Sequence, residues 1–139
     1  MATAPTAEDL IRDPFVRQVL QQAWIDSLPD DPVRRHEEGG WIYMNVTFGH
    51  LTALRAQRGE QQTIDLNLPD VMLYSVVVAK FHTHPHPTLE GWDPGPSQSD
   101  EEIDEKHGVP DLIVTYQGVY VSGPQTLRGG LAGITGFPG

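Results

Sequence analysis

The residues most able to do chemistry form a histidine-rich segment in the middle of the chain. His82, His84 and His86 lie within five residues and are three of the six histidines. They follow the continuous apolar run Val76–Ala79, which is typical of a strand buried on both faces. If that strand continues to His84, its two-residue period places His82 and His84 on one face. Two adjacent imidazoles can bind one divalent ion, so the segment predicts a metal site at a strand end.

A second group of polar residues follows in Pro96-Ser97-Gln98-Ser99-Asp100. Ser97 and Asp100 lie on neighbouring faces in the first turn of a predicted short acidic helix that runs to Lys106. One interpretation is purely structural, because a serine three residues before an acid resembles a capping box. In the other, Asp100 is the third, anionic ligand, which leaves the fourth position of a catalytic zinc open for water. Ser97 would then lie near the target of that water.

An acidic pair precedes the first predicted strand, in Glu37-Glu38-Gly39-Gly40. Paired glutamates beside paired glycines are usually a solvated turn. The alternative is that one glutamate lies at the mouth of the strand and belongs to the site. Successive strand residues point to opposite faces, so only Glu37 or Glu38 can serve.

In chain order, these residues give Glu, Gly-Gly, a strand, His-Thr-His-Pro, a loop and Pro-Ser-x-x-Asp. This order resembles the JAB/MPN metalloprotease family, whose active members carry the JAMM motif, and in particular its small prokaryotic members. The resemblance runs from about Glu37 to Asp100. The loop from 85 to 96 has twelve residues where the family has about seven, and extra loop length costs little free energy. Asp93 is therefore the alternative to Asp100.

The resemblance implies a three-layer α+β fold of the cytidine-deaminase-like type, with a mixed central sheet between an N-terminal helix and a short helix after the metal loop. It implies a zinc ion (Zn²⁺) held by His82, His84 and Asp100. Glu37 would be the catalytic base, and Ser97 would donate a hydrogen bond to the oxyanion. The implied activity is hydrolysis of peptide or isopeptide bonds, with a peptide or a ubiquitin-like protein conjugate as the substrate.

Two other functions are compatible with the same residues. The first is a non-catalytic interaction module of the same fold. The second is a metal-binding protein of another fold, in which His82, His84 and His86 form a simple chelating tract.

Composition restricts the class of protein. The 139 residues fit one domain, 1–139, and 19 acidic against 9 basic residues give a net charge of −10. Such a chain is a poor candidate for binding nucleic acid or an anionic membrane. The absence of cysteine excludes disulfides, thiolate metal sites and a cysteine nucleophile. The chain has no apolar run of about 20 residues and no secretory signal pattern, so we expect a cytoplasmic protein.

The remaining patterns predict the elements that position the site. Asp13-Pro14 opens an amphipathic helix that ends near Leu28, after a frayed start over residues 1–12. Residues 123–139 are glycine-rich and are expected to be irregular. The predicted strands are Trp41–Phe48, its hairpin partner Leu51–Gln57, a short strand at Ile64, Leu66 and Leu68, Val71–Phe81 (with a helix over Val71–Ser75 as the alternative), Asp111–Tyr116 and Val119–Ser122.

Overall fold

The computed structural model describes residues 2–61, 64, 66, 69–86 and 107–127. In these ranges the chain is α+β, with a mixed five-stranded sheet of order β2-β1-β3-β4-β5. Strands β3 and β4 are parallel, and the other neighbouring pairs are antiparallel. The elements are α1 (Ala7–Arg12), α2 (Pro14–Asp26), β1 (Gly39–Asn45), β2 (Leu51–Arg55), β3 (Ser75–Thr83), β4 (Asp111–Thr115) and β5 (Gly118–Ser122).

The predicted amphipathic helix is confirmed as α2. The Asp13 carboxylate accepts a hydrogen bond from the Val16 amide at 3.1 Å, and Pro14 occupies the first turn. Val16, Leu20 and Ala23 form its buried face. Neither described helix is long and apolar enough to cross a membrane.

The start of the chain differs from the expected frayed segment, because residues 7–12 form helix α1. Thr6 and Asp9 make a reciprocal capping box, in which each side chain accepts a hydrogen bond from the other residue's amide at 3.1 Å. Ala7 and Leu10 are buried against the sheet. An aspartate occupies the box position where glutamate or glutamine is usual, which weakened the signal in the sequence.

The hairpins predicted on both sides of the sheet are confirmed: β2 pairs with β1, and β5 pairs with β4. The helix considered for Val71–Ser75 is wrong, because residues 71–74 are not helical and β3 begins at Ser75. Ile64 and Leu66 belong to no strand, and Leu68 lies outside the described residues. The predicted helix from Ser97 to Lys106 also lies outside them, as do residues 128–139 of the glycine-rich tail.

The sheet has a buried cluster on each face. The larger cluster packs under both helices and includes Leu10, Val16, Ile42, Phe81 and Leu112. The smaller cluster, on the opposite face, consists of Trp41, Tyr43, Val77 and Val109. We call the side of the sheet under the two helices the helix face and the opposite side the open face.

A β-bulge in β3 decides which of these faces the histidines occupy. In the ladder with β1, Ala79 is opposite Ile42 and Val77 is opposite Tyr43, which leaves Val78 as an extra residue without a partner. Val76 and Val78 pack on the helix face before the bulge, and Ala79 and Phe81 do so after it. The alternation is thereby reversed, and His82 falls on the open face. An unbroken alternation from Val76 would direct His82 into the helix-side core.

Candidate metal centre

Three of the residues singled out in the sequence converge at one end of the central strands. The potential ligand atoms of Glu37, His82 and His84 all lie within 4.8 Å of one another. Glu37 and His82 are buried, and His84 is half-buried. The group combines two imidazoles with one carboxylate, which are ligand types that zinc prefers.

Backbone pairing at the end of β3 places Glu37 beside the histidines. Gly39 is opposite His82 in the ladder, and the Thr83 amide donates to the Glu38 carbonyl at 2.9 Å. Continuing this register puts Glu37 opposite His84. On its other side the Glu37 amide donates to the Glu60 carbonyl at 2.7 Å, and the Gly59 amide donates to the Glu37 carbonyl at 2.8 Å. The segment of Glu37 and Glu38 is therefore held by backbone hydrogen bonds on both edges.

The two glycines after the glutamates allow the strands to approach closely here. A Cβ atom on Gly39 would lie 2.4 Å from the Phe81 carbonyl oxygen and 3.1 Å from the His82 Cβ atom. A Cβ atom on Gly40 would lie 2.1 Å from the Leu54 carbonyl oxygen, on the β2 side. Larger residues would push β1 away from its neighbours, and the Glu37 carboxylate would move with it.

The imidazole rings of the site are held in a defined arrangement. The Nε2 atoms of His82 and His84 are 3.1 Å apart, and the ring centroids are 4.9 Å apart. On its other side, the His82 Nδ1 atom is 3.1 Å from the Asp111 Oδ1 atom. An ionised carboxylate only accepts hydrogen bonds, so with Asp111 ionised Nδ1 is the donor of this pair.

Glu38, the alternative to Glu37, is engaged elsewhere. Its carboxylate accepts a hydrogen bond from Arg55 at 2.6 Å and lies 2.5 Å from the His36 Nε2 atom. Arg55 also donates to Asp26 in α2 at 3.0 Å. Glu38 thus belongs to a partly buried ion-pair network that connects β2 with the end of α2. Glu37 is the glutamate that meets the histidines.

The residue between the two histidines joins the site to the helix. The Thr83 hydroxyl lies 2.5 Å from the hydroxyl of Ser27, the residue that ends α2. The same oxygen accepts a hydrogen bond from the Glu38 amide at 3.0 Å. Thr83 therefore fixes the segment before β1 from the helix face while its neighbours His82 and His84 occupy the open face.

His86 does not join the histidine pair. It is buried, and its Nε2 atom contacts the Gln61 carbonyl oxygen. His86 lies outside the group formed by Glu37, His82 and His84. The arrangement does not support a tract in which His82, His84 and His86 together hold one ion.

The other predicted site residues lie outside the part of the chain that the structure describes. These are Ser97 and Asp100, with Asp93 as the alternative to Asp100. Their assignment as oxyanion donor and third ligand remains a prediction from the sequence.

Three further polar residues of this face were not predicted from the sequence. Asp111 opens β4 and contacts His82, while the Lys80 Nζ atom lies 3.1 Å from the His107 Nδ1 atom. Lys80 and Asp111 are buried, which is rare for charged residues. An aspartate at the start of a strongly apolar strand was the available signal, but the sequence did not show which residue it would meet.

Comparisons of the chain with protein-family models, with curated proteins and with solved structures find no match.

Proposed function

We propose that the chain is a zinc-dependent hydrolase of peptide or isopeptide bonds, of the JAMM type. The observation that carries this proposal is the convergence of Glu37 with the Nε2 atoms of His82 and His84. Glu37 lies 45 positions before His82 in the sequence, so its meeting with the two histidines does not follow from sequence proximity.

The donor set fits zinc. Two nitrogens that bind one tetrahedral zinc at about 2.0–2.1 Å lie about 3.3 Å apart. The observed Nε2 separation is 3.1 Å, and the hydrogen bond from His82 Nδ1 to Asp111 leaves Nε2 available as a ligand. His82 and His84 would hold the ion, and Asp100 is the proposed third ligand. In a chain without cysteine, imidazole and carboxylate ligands are also the remaining strong zinc ligands.

Each residue of the proposed site has a defined task. Zinc held by the histidines supplies Lewis-acid activation of a water molecule. The Glu37 carboxylate accepts the proton of the attacking water and later delivers it to the leaving amine. Ser97 donates a hydrogen bond to the oxyanion, by resemblance to the family motif. Backbone hydrogen bonds with Gly59 and Glu60 hold the main chain of Glu37 beside the histidines.

The fold and substrate class belong to the same proposal. The observed α+β architecture with a mixed sheet is compatible with the JAB/MPN fold. Peptides and ubiquitin-like conjugates are the proposed substrates and partners. A non-catalytic module would not need Glu37 beside the two histidines, and a histidine tract would need His86, which contacts Gln61 instead.

Metal analysis of the purified chain tests the proposal directly. We expect one zinc per chain, measured by elemental mass spectrometry after dialysis against excess zinc. His82→Ala and His84→Ala should each lose the ion, whereas His50→Ala, which changes a surface histidine, should keep it. Zinc-dependent cleavage of peptide and ubiquitin-like fusion substrates is the second measurement. A chain that binds no zinc, or binds it equally after loss of His82, would contradict the proposal.

A further inference from the structure

We propose that Asp111 is a positioning residue of the metal site, which fixes the His82 ring with its proton on Nδ1 and its Nε2 lone pair directed towards His84 and Glu37. The role of Asp111 in metal binding rests on the function proposed above. The effect of Asp111 on the His82 ring does not depend on that function.

The parallel pairing of β3 with β4 places Asp111 at His82. Lys80 is aligned with Asp111, and His82 is aligned with Ile113, two residues further along β4. Asp111 and His82 are therefore diagonal neighbours on adjacent strands. The result is the 3.1 Å contact between Asp111 Oδ1 and His82 Nδ1.

Burial makes this contact selective for one state of the ring. The side chain of Asp111 is 1% exposed and that of His82 is 7% exposed. A neutral imidazole has one N–H donor and one acceptor nitrogen. Proton placement on Nε2 would turn the Nδ1 lone pair against the Asp111 oxygen, so the carboxylate disfavours that tautomer. The proton is held on Nδ1, and the Nε2 lone pair is directed towards His84 and Glu37.

The remaining contacts show that Nε2 is the nitrogen that faces the site. It lies 3.1 Å from the Nε2 atom of His84, on the side of the ring away from Asp111. The Asp111 carboxylate contacts the ring from behind and is not a member of the group formed by Glu37, His82 and His84. Within the described residues, the contact that connects Asp111 with this group is the one with His82. Carboxylates that accept a hydrogen bond from a metal-binding histidine typically change metal affinity or activity by about 10–100-fold.

Nuclear magnetic resonance of the metal-free chain provides a readout that a merely structural role would not affect. Long-range ¹H–¹⁵N correlation at about pH 8, where an ordinary histidine is neutral, reports which ring nitrogen carries the proton. The His82 signals are identified by their loss in His82→Gln. We expect the Nδ1–H form of His82 in the native chain and a shift towards the Nε2–H form in Asp111→Asn and Asp111→Ala.

Zinc affinity is measured on the same proteins by competition with a chelator. We expect it to fall about 10–100-fold in both Asp111 variants. Leu112→Val is the matched control, because it alters the helix-face core from the same strand and should leave both the tautomer and the zinc affinity unchanged. Asp111→Asn is nearly isosteric and preserves the test if Asp111→Ala does not fold.

The outcomes separate this inference from the proposed function. An unchanged His82 tautomer, or an unchanged zinc affinity, in folded Asp111→Asn would overturn the role of Asp111. A native chain that shows the Nδ1–H form and loses it in Asp111→Asn, but binds no zinc, would overturn the proposed function and leave Asp111 as the residue that fixes His82.

Discussion

Gly39 in β1 lies directly opposite His82 in β3, so close that a Cβ atom on the glycine would be 3.1 Å from the histidine Cβ and 2.4 Å from the Phe81 carbonyl oxygen. The absence of a side chain at Gly39 thus sets the distance between the strand that precedes the metal site and the strand that carries it. Glu37 is only two residues from this contact, so its position depends on that distance.

Gly39→Ala should destabilise the chain and weaken the metal site together. The added methyl group must separate β1 from the end of β3, at a cost of about 1–3 kcal/mol in the free energy of unfolding. Chemical denaturation measures this cost, and chelator competition measures zinc affinity. Thr52→Ala, at an exposed position of β2, should change neither quantity appreciably. Native stability in Gly39→Ala would show that the strands can part without cost.

Glu37→Gln should keep zinc and abolish hydrolysis. The amide is nearly isosteric with the carboxylate but cannot accept a proton at neutral pH, so the expected loss of kcat is about 10²–10⁴-fold. Glu38→Gln is the matched control, since Glu38 is bound by Arg55 and His36. That variant should unfold at a lower temperature and retain its activity while folded. Unchanged turnover in Glu37→Gln would remove Glu37 from the mechanism.

Asp100→Ala should lower zinc affinity, whereas Asp93→Ala and His86→Ala should not. Loss of an anionic ligand removes both a coordinate bond and a favourable charge at the ion. Isothermal titration with zinc compares the three variants with the native chain. The reverse result for the two aspartates would assign Asp93 as the ligand. A dominant effect of His86 would instead favour the histidine tract.

Stability should fall at high pH because of Tyr43. Burial and the nearby Asp70 carboxylate raise the pKa of Tyr43 to about 12. A tyrosine in the unfolded chain ionises near pH 10. The contribution of Tyr43 is therefore fully present below about pH 10 and is lost as the pH rises towards about 12.

Denaturation at increasing pH measures this loss. Tyr43→Phe removes the hydrogen bond of the hydroxyl to the Asp70 carbonyl, which is 2.6 Å long, and should show a smaller decrease between these pH values. The difference in tyrosinate absorbance between the native chain and Tyr43→Phe follows the ionisation itself. A difference titration centred near pH 10 would contradict the expected shift.

The sequence predicted the parts of the fold that depend on local patterns. Helix α2 has a capping aspartate, a proline in its first turn and a regular apolar face, and the hairpin of β4 and β5 has two apolar strands around Gln117-Gly118. Strand β1 begins at Gly39, two residues before the predicted start. Glycine is depleted in strands, so propensity gave no indication that close packing would place two glycines inside one.

The sequence predicted the site residues that belong to a motif. It did not predict the contacts that pairing between distant strands creates. The spacing of His82 and His84 predicted a shared face, and the order of motifs brought Glu37 into consideration. The contact of Asp111 with His82 depends on the parallel register between β3 and β4, which no local pattern encodes. The choice between Glu37 and Glu38 likewise required the position of Arg55, which lies in another strand.

The unpaired Val78 divides β3 into two parts whose side chains alternate in opposite order. Up to Val78 the even-numbered residues lie on the helix face, whereas from Ala79 onwards the odd-numbered residues do, so that His82 lies on the open face. Histidines at positions 82 and 84 are therefore not sufficient to form the site, because the bulge must also direct them to the open face. A regular ladder through the same residues, without the bulge, would leave every ligand intact in the sequence and turn the imidazoles towards the apolar core under the helices.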